Sequence, residues 1–533
     1  MQSRIKKQIN LPLLAILTLA LMLRLLSLAD HSLWYDEAFS VLFAQSDVST
    51  MLSGTVNAVE HPLLYYLSLK GWMIFFGDTA FAVRLWSVTT GVATIGMMYL
   101  IGRDLFSKKT GLVAAFIVTV APFHLQYSQE TRMYSLLALL LMGATWCYIR
   151  GKPNPLLTSP EHRGGTDTPE NEKSKSWLWW IAFGILAGLA MHTQYLAAFY
   201  LVALGLIPFI KRDWRTIAGV TVGATLAIII FSPFLFNLPT QLSNLNSNYW
   251  INRPTLAQPL ISLGIFMGGF HEFAITQALI VYGGALFLVV WILLQIGFYI
   301  RRPRRKSDSD NSNILLVLWL FIAPIVFMWG FSQIVPVYLE RALIATVMML
   351  YLLLAWLFTR AAMPCLIQGL LMLIVAVVFV IGDWAQYQVD TFPYSPVNAA
   401  MDTIHDNLEE GDVVIHMNKL TVLAAEVYAP DITQRFIADT QGSAEDTLDP
   451  STQAVLGVRE SDCIQQAAAG ANRIWFVTLQ RAEEEYAAAG ITDLQDNFDW
   501  LATHFTADET LQFNDLNVYV YSNGTGNNTT DCS

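Results

Sequence analysis

The chain of 533 residues is 54% hydrophobic and only 14% charged, with a net charge of −11. A soluble globular chain carries about 25% charged residues, so much of this surface must face something other than water. Of the 42 acidic and 31 basic residues, 25 and 5 lie from Asp383 onward, leaving 17 and 26 before it. A net +9 region thus precedes a net −20 tail, a balance that argues against nucleic acid and for a soluble domain outside the cytoplasm.

Apolar segments fall near 11–29, 82–102, 111–126, 133–149, 177–191, 195–210, 216–236, 277–299, 313–333, 343–359 and 364–382. Spans of about 20 residues cross a bilayer, so about eleven transmembrane helices are expected. The first is too long, and too interrupted by Arg24, for a cleaved signal peptide. Basic clusters at Arg4/Lys6/Lys7, Arg103/Lys108/Lys109, Lys211/Arg212/Arg215, Arg301–Lys306 and Arg360 then all fall on one side. By the positive-inside rule that side is cytoplasmic, with the N-terminus inside and the tail outside. The polar cytoplasmic stretch 151–176 is expected to be disordered.

Three outer segments are long enough to build a site: 30–81, the turn around 126–132, and 237–276. In the first, Trp34/Phe39/Leu42/Phe43 and Leu64/Leu67/Trp72/Phe75 recur at helical spacing, as in interfacial amphipathic helices. After Asp383, helical periodicity covers Asn398–Leu408 and Leu420–Tyr428. Apolar runs at Asp412–Met417, Arg473–Leu479 and Asn517–Ser522 read as strands. Alternating elements of this kind predict a small extracytoplasmic α/β domain, residues 383–533, after a membrane domain of residues 1–382. No GxGxxG or P-loop supports a nucleotide site, and the four cysteines have no metal spacing. Cys463 and Cys532, both external in this topology, are either bridged or free thiols at a polar chain end.

Chemistry concentrates in three places. Trp34-Tyr35-Asp36-Glu37 follows the first span, and either carboxylate suits a general base or a metal or sugar ligand. The bland alternative is a charge pair at a helix start. Glu60-His61-Pro62-Leu63-Leu64-Tyr65-Tyr66 places a second acid beside a histidine, or simply starts a helix. Tyr127-Ser128-Gln129-Glu130-Thr131-Arg132-Met133-Tyr134 holds an arginine at the hydrocarbon edge, where it needs either Glu130 or a bound anion. Tyr338-Leu339-Glu340-Arg341 repeats that theme. Arg24 either snorkels or pairs with a site carboxylate; His192 and His271 are read as structural.

These motifs, in this order on the first four spans, resemble the GT-C membrane glycosyltransferases that use lipid-phosphate sugars. The likeness is strongest to the branch of protein O-mannosyltransferases and lipid A aminoarabinose transferases. The resemblance covers about residues 11–380 and implies a GT-C helical domain moving sugar from a polyprenyl-phosphate donor to an acceptor hydroxyl outside the membrane, with inversion. It implies catalytic roles for Asp36 and Glu37, and donor-phosphate binding by Arg132 and Arg341. Glu60 and His61 match positions that in some members help hold a divalent metal, the one cofactor the resemblance admits. Arg24, Glu130, Tyr134 and Tyr338 are supporting residues. His61-Pro62-Leu63 departs from the double proline of many relatives, leaving the acceptor a protein, lipid or glycan. The alternatives are a polytopic transporter, disfavoured because charges gather at the outer rim rather than mid-span, and a lipid-linked oligosaccharide ligase or polymerase.

Overall fold

The computed structural model describes residues 10–57, 62–152, 169–235, 251–271, 273–301, 308–361, 363–388, 391–438, 448, 450–522 and 532. The chain forms two compact units, one from Met1–Leu26, Leu85–Asn246 and Ile251–Tyr387, the other including Ser27–Arg84 and Gln388–Ser533. The segment between the first two apolar spans therefore groups with the tail, and the expected boundary at 382/383 falls inside a helix that runs to Gln388.

Each of the eleven expected segments holds a helix, the third only up to Thr119: α1 (Leu11–Leu25), α5 (Ala80–Leu105), α6 (Lys108–Thr119), α8 (Tyr134–Gly151), α9 (Pro169–Met191), α10 (Ala197–Lys211), α11 (Trp214–Leu235), α13 (Ile275–Arg301), α14 (Asp308–Phe331), α15 (Ile344–Arg360) and α16 (Cys365–Gln388). Among the described residues six helices are long and apolar enough to cross a membrane, or seven if a bent pair is counted as one. The chain is thus a multi-pass membrane protein, while α1 and α10 are shorter than a full span. Helix α9 begins at Pro169, inside the stretch expected to be disordered; residues 153–168 lie outside the described set.

Helix α15 is the core, buried from Ile344 to Phe358. By contrast α13 and α16 expose rows of Leu, Ile and Phe, which a water-facing surface would not tolerate but lipid requires. A Cβ at Gly184 of α9 would sit 2.6 Å from the Gly223 carbonyl of α11, so small residues let these two helices touch along their backbones. Helix α6 stops at Thr119, and Pro122 opens α7 (Pro122–Gln129) at 60° to it. Proline lacks the N–H that would continue the ladder but suits a first turn. In the segment 237–276, expected to face outward, α12 (Gln258–Gly268) adds a short helix that the apolar pattern did not announce.

The second unit holds a six-stranded sheet, order β3-β2-β1-β4-β6-β5. Strands β3 (Glu460–Ser461), β2 (Gln434–Ile437), β1 (Asp412–His416) and β4 (Arg473–Leu479) are parallel, and β6 (Leu516–Ser522) and β5 (Thr506–Phe513) close one side antiparallel. The central pair, in register as Ile415↔Phe476, is buried nearly throughout, as strands covered by helices on both faces must be. The helices are α17 (Val397–Asp406), α18 (Lys419–Tyr428), α19 (Pro450–Leu456), α20 (Ile464–Ala467), α21 (Gln480–Ala489) and α22 (Asp493–His504). Buried His416 bonds Thr421 and Gln434, and burial holds it down at about 4. A disulfide joins Cys463 to Cys532 across 69 positions.

The same unit contains α2 (Tyr35–Gln45), α3 (Val48–Asn57) and α4 (Leu64–Phe76). Helix α2 packs on α18, and Ser46 donates to the Val455 carbonyl at 2.9 Å. Phe39 and Phe43 of α2 meet the Tyr66 ring of α4 at 6.1 and 4.6 Å. On α2 the marked residues Phe39 and Phe43 are buried, but on α4 the buried side chains are Tyr65, Tyr66 and Leu69, and Phe75 of the marked face is 83% exposed.

Candidate active site

The sequence-predicted residues fall into one constellation in each unit. In the second, Trp34 leads into α2 in extended conformation, so Asp36 and Glu37 stand in the first turn, where the helix dipole favours carboxylates. The adjacent pair is split by environment. Glu37 is fully buried, whereas Asp36 keeps part of its surface exposed. Glu37 meets Arg84 through two bonds, Nε to Oε1 at 2.9 Å and an NH2 proton to Oε2 at 2.6 Å. The remaining Arg84 protons go to the carbonyls of Leu28, His31 and Ser32, each at 2.9 Å. All five guanidinium protons thus have acceptors, and the backbone from Leu28 to Glu37 is wrapped about one cation. At the other end of α2, Lys70 donates to the Ala44, Gln45 and Ser46 carbonyls, neutralising the helix C-terminus.

Sequence reasoning missed Arg84. Its signal was available: an arginine two residues into an apolar span must find a partner, and Glu37 is a carboxylate in the preceding loop. Glu60 and His61 lie outside the described residues. Among the described residues no three His, Cys, Asp or Glu side chains gather as a metal site. Glu37, already bound through both oxygens, does not fit the role of metal ligand.

In the first unit, α7 and α8 are joined by the turn carrying Glu130 and Arg132, both buried. Tyr134 opens α8, its ring 5.3 Å from that of Tyr127. The Arg341 guanidinium lies over the Tyr134 ring at 5.4 Å, a cation–π contact. Arg341 comes from the 3-10 helix Glu340–Leu343, whose Glu340 accepts from Gln258 at 2.6 Å and Ser262 at 3.2 Å. Ser262 also bonds the Tyr338 hydroxyl at 3.0 Å. Tyr127 lies within electrostatic reach of Glu130, Arg341 and Glu340. The fold therefore brings Glu130, Tyr134, Tyr338 and Arg341 into one neighbourhood, although more than 200 positions separate the motifs.

Arg24 does not snorkel, and among the described residues no carboxylate lies within salt-bridge distance of it, although Asp383 attracts it electrostatically. Arg24 is fully buried and caps the broken end of α6, donating to the carbonyls of Val118 at 3.2 Å and Thr119 at 3.1 Å and to Nδ1 of His124 at 2.8 Å. The break at Pro122 exposes carbonyls that in hydrocarbon have no water to turn to, and a cation at that dipole end answers them. Because arginine only donates, the ring proton of neutral His124 sits on Nε2. His192 bonds the Ile230 carbonyl at 2.8 Å, in keeping with a structural role.

Comparison with known proteins adds an independent line. Residues 60–154 match the family model described as dolichyl-phosphate-mannose-protein mannosyltransferase. The YkcB protein of Bacillus subtilis is 20% identical over 252 residues, 45% of this chain and 32% of its own. The undecaprenyl phosphate-alpha-4-amino-4-deoxy-L-arabinose arabinosyl transferase 1 of Pseudomonas fluorescens is 23% identical over 241 residues, 42% of this chain and 39% of its own. The matched region thus spans only about a third of the length of these curated relatives, 32% and 39%. The crystal structure of ArnT from Cupriavidus metallidurans superposes with a TM-score of 0.59 at 12% identity, covering 95% of this chain and 97% of that one. The same protein has been solved bound to undecaprenyl phosphate.

Proposed function

We propose that this chain, which has the fold of the GT-C membrane glycosyltransferases, moves a sugar from a polyprenyl-phosphate donor to an acceptor hydroxyl on the outer face of the membrane, with inversion. The membrane domain, residues 1–382, carries the donor chemistry; the acidic domain, residues 383–533, is external. The observation that carries this reading is the split between the two adjacent carboxylates. Glu37 is buried against Arg84, while Asp36 keeps part of its surface exposed at the helix start. A general base must reach its substrate, and of the two only Asp36 can.

The reaction is then one displacement. The acceptor oxygen attacks the anomeric carbon while its proton passes to the Asp36 carboxylate. The bond from that carbon to the donor phosphate oxygen breaks, and its electron pair leaves on the phosphate. Arg132 and Arg341 stabilise the departing charge, their forks matching phosphate oxygens. Glu130, Tyr134 and Tyr338 hold those arginines in place. The cation–π stack of Arg341 on Tyr134 supports this, because it fixes a flexible side chain before substrate arrives. The test is release of free polyprenyl phosphate by purified protein given a polyprenyl-phosphate sugar and an acceptor extract. Acceptor-dependent release is expected; movement of an intact lipid or solute without cleavage would replace the enzyme by a transporter.

A further inference from the structure

The residues just before Asp36 are held by the C-terminal domain, and this contact involves groups outside the proposed chemistry. Ser32 donates its hydroxyl to Oδ1 of Asn398 at 2.5 Å and accepts from the Asn398 backbone N–H at 3.2 Å. Next along, the Leu33 N–H donates to the Tyr428 hydroxyl at 2.7 Å. Asn398 belongs to α17 and Tyr428 is the last residue of α18, the helix against which α2 packs. His31 adds a ring contact with Tyr394, centroids 5.6 Å apart. Ser32 and Leu33 are both buried, so these polar groups have no water to fall back on.

These bonds complete a clamp. Arg84 takes the carbonyls of Leu28, His31 and Ser32, and Glu37 takes the Trp34 N–H at 3.4 Å. The tail supplies the partners Arg84 cannot, an acceptor for the Leu33 N–H and a bonding pair for Ser32. Burial holds the Tyr428 phenol above its ordinary range, so it keeps its proton while its oxygen accepts the Leu33 N–H. Asp36 follows Leu33 by three positions and stands in the first turn of α2, a rigid element. A shift at Leu33 is therefore passed to the Asp36 carboxylate with little loss.

We propose that Tyr428 and Asn398 are positioning residues, through which the C-terminal domain sets the Asp36 carboxylate for proton transfer. This rests on Asp36 being the general base. The bland alternative, that the contacts merely hold the domain together, makes a different forecast. A misplacement of about 1 Å can cost on the order of 100-fold in rate without loss of fold.

The experiment uses full-length purified protein well below its melting temperature. Tyr428→Phe keeps the ring and removes the acceptor, and Asn398→Ala removes the Oδ1 acceptor of the Ser32 hydroxyl while keeping the backbone N–H bond. Both are expected to lower kcat roughly 10-fold or more with donor KM unchanged and the acid limb of the pH–rate profile displaced. Asn398→Asp keeps the Oδ1 acceptor and should retain most activity. In an Asp36→Asn background, Tyr428→Phe should lower the residual turnover by less than about 2-fold, since the group it positions is gone. Equal fold losses in both backgrounds would make the contact structural and overturn the proposal. So would wild-type kcat in Tyr428→Phe alongside an inactive Asp36→Asn. Wild-type turnover in Asp36→Asn itself would instead remove the base assignment, and the positioning role with it.

Discussion

Replacing Glu37 by glutamine separates a structural carboxylate from a chemical one. The substitution keeps shape and one acceptor oxygen but leaves the Arg84 cation, itself 3% exposed, without a counter-charge. Removing one partner of a buried pair costs about 3–5 kcal/mol. Here three backbone carbonyls still receive Arg84, and the amide oxygen can take a fourth proton, so the lower end, about 3 kcal/mol, is expected. For a unit of this size 1 kcal/mol moves the midpoint by roughly 2–4 °C, giving a drop of about 6–12 °C. Dye-detected thermal unfolding in detergent reads this directly. Arg84→Lys should be destabilised as well, since an ammonium cannot reach five acceptors at once. A midpoint within about 1 °C of wild type in Glu37→Gln would mean that the ion pair contributes no net stability. Glu37 would then be available as the base.

Three further outcomes follow from named contacts. Arg132→Ala should weaken use of the lipid donor more than of the acceptor, and Arg132→Lys should rescue only partly because it lacks the bidentate fork; unchanged donor kinetics would leave Arg132 a structural cation. Glu426, half-buried on α18, is pushed by burial from an ordinary 4.5 up to about 7. A carboxyl raised in the folded state favours folding when protonated, so its contribution is full below pH 4.5 and fades as pH rises toward 7. Glu426→Gln should therefore gain about 1 kcal/mol over wild type at pH 8, after discount for exposure, and nothing at pH 4. Equal melting shifts at both pH values would contradict it. Reducing Cys463–Cys532, which closes a 69-position separation, should cost the tail about 4 kcal/mol in the chain-entropy model. Matched denaturation curves with and without reductant would show the bridge carries no such load.

What the sequence revealed and what it hid follow one physical rule. Periodic apolar runs are local signals, so each expected membrane segment holds a helix and β4 runs over the predicted residues, Arg473–Leu479. The segment 111–126 is nevertheless broken between α6 and α7, and six or seven of the described helices are long and apolar enough to span. Strands β2 and β3 have four and two residues, too short to show a period, and β5 carries the polar face of an edge, TADETLQF. The bent pair α6–α7 read as one span because Pro122 sits in an otherwise apolar stretch. Asp36 and Glu37 were visible as a motif, but their difference was not. It depends on Arg84, 47 positions later, folding back onto one of them. The grouping of residues 27–84 with the tail was likewise hidden, since Ser32 and Asn398 lie 366 positions apart. A lone serine, asparagine or tyrosine carries no period and no charge to announce its partner.

In the proposed mechanism Asp36, not its neighbour, takes the acceptor proton. Full-length wild type, Asp36→Asn and Glu37→Gln should be assayed together for release of polyprenyl phosphate from a polyprenyl-phosphate sugar, with donor binding measured on the same samples. Asp36→Asn is expected to fold and bind donor normally while turnover falls on the order of 10²–10⁴-fold. Glu37→Gln should lose thermal stability and, assayed below its melting temperature, retain measurably more turnover than Asp36→Asn. Near-wild-type release from folded, donor-binding Asp36→Asn would contradict the account at its centre.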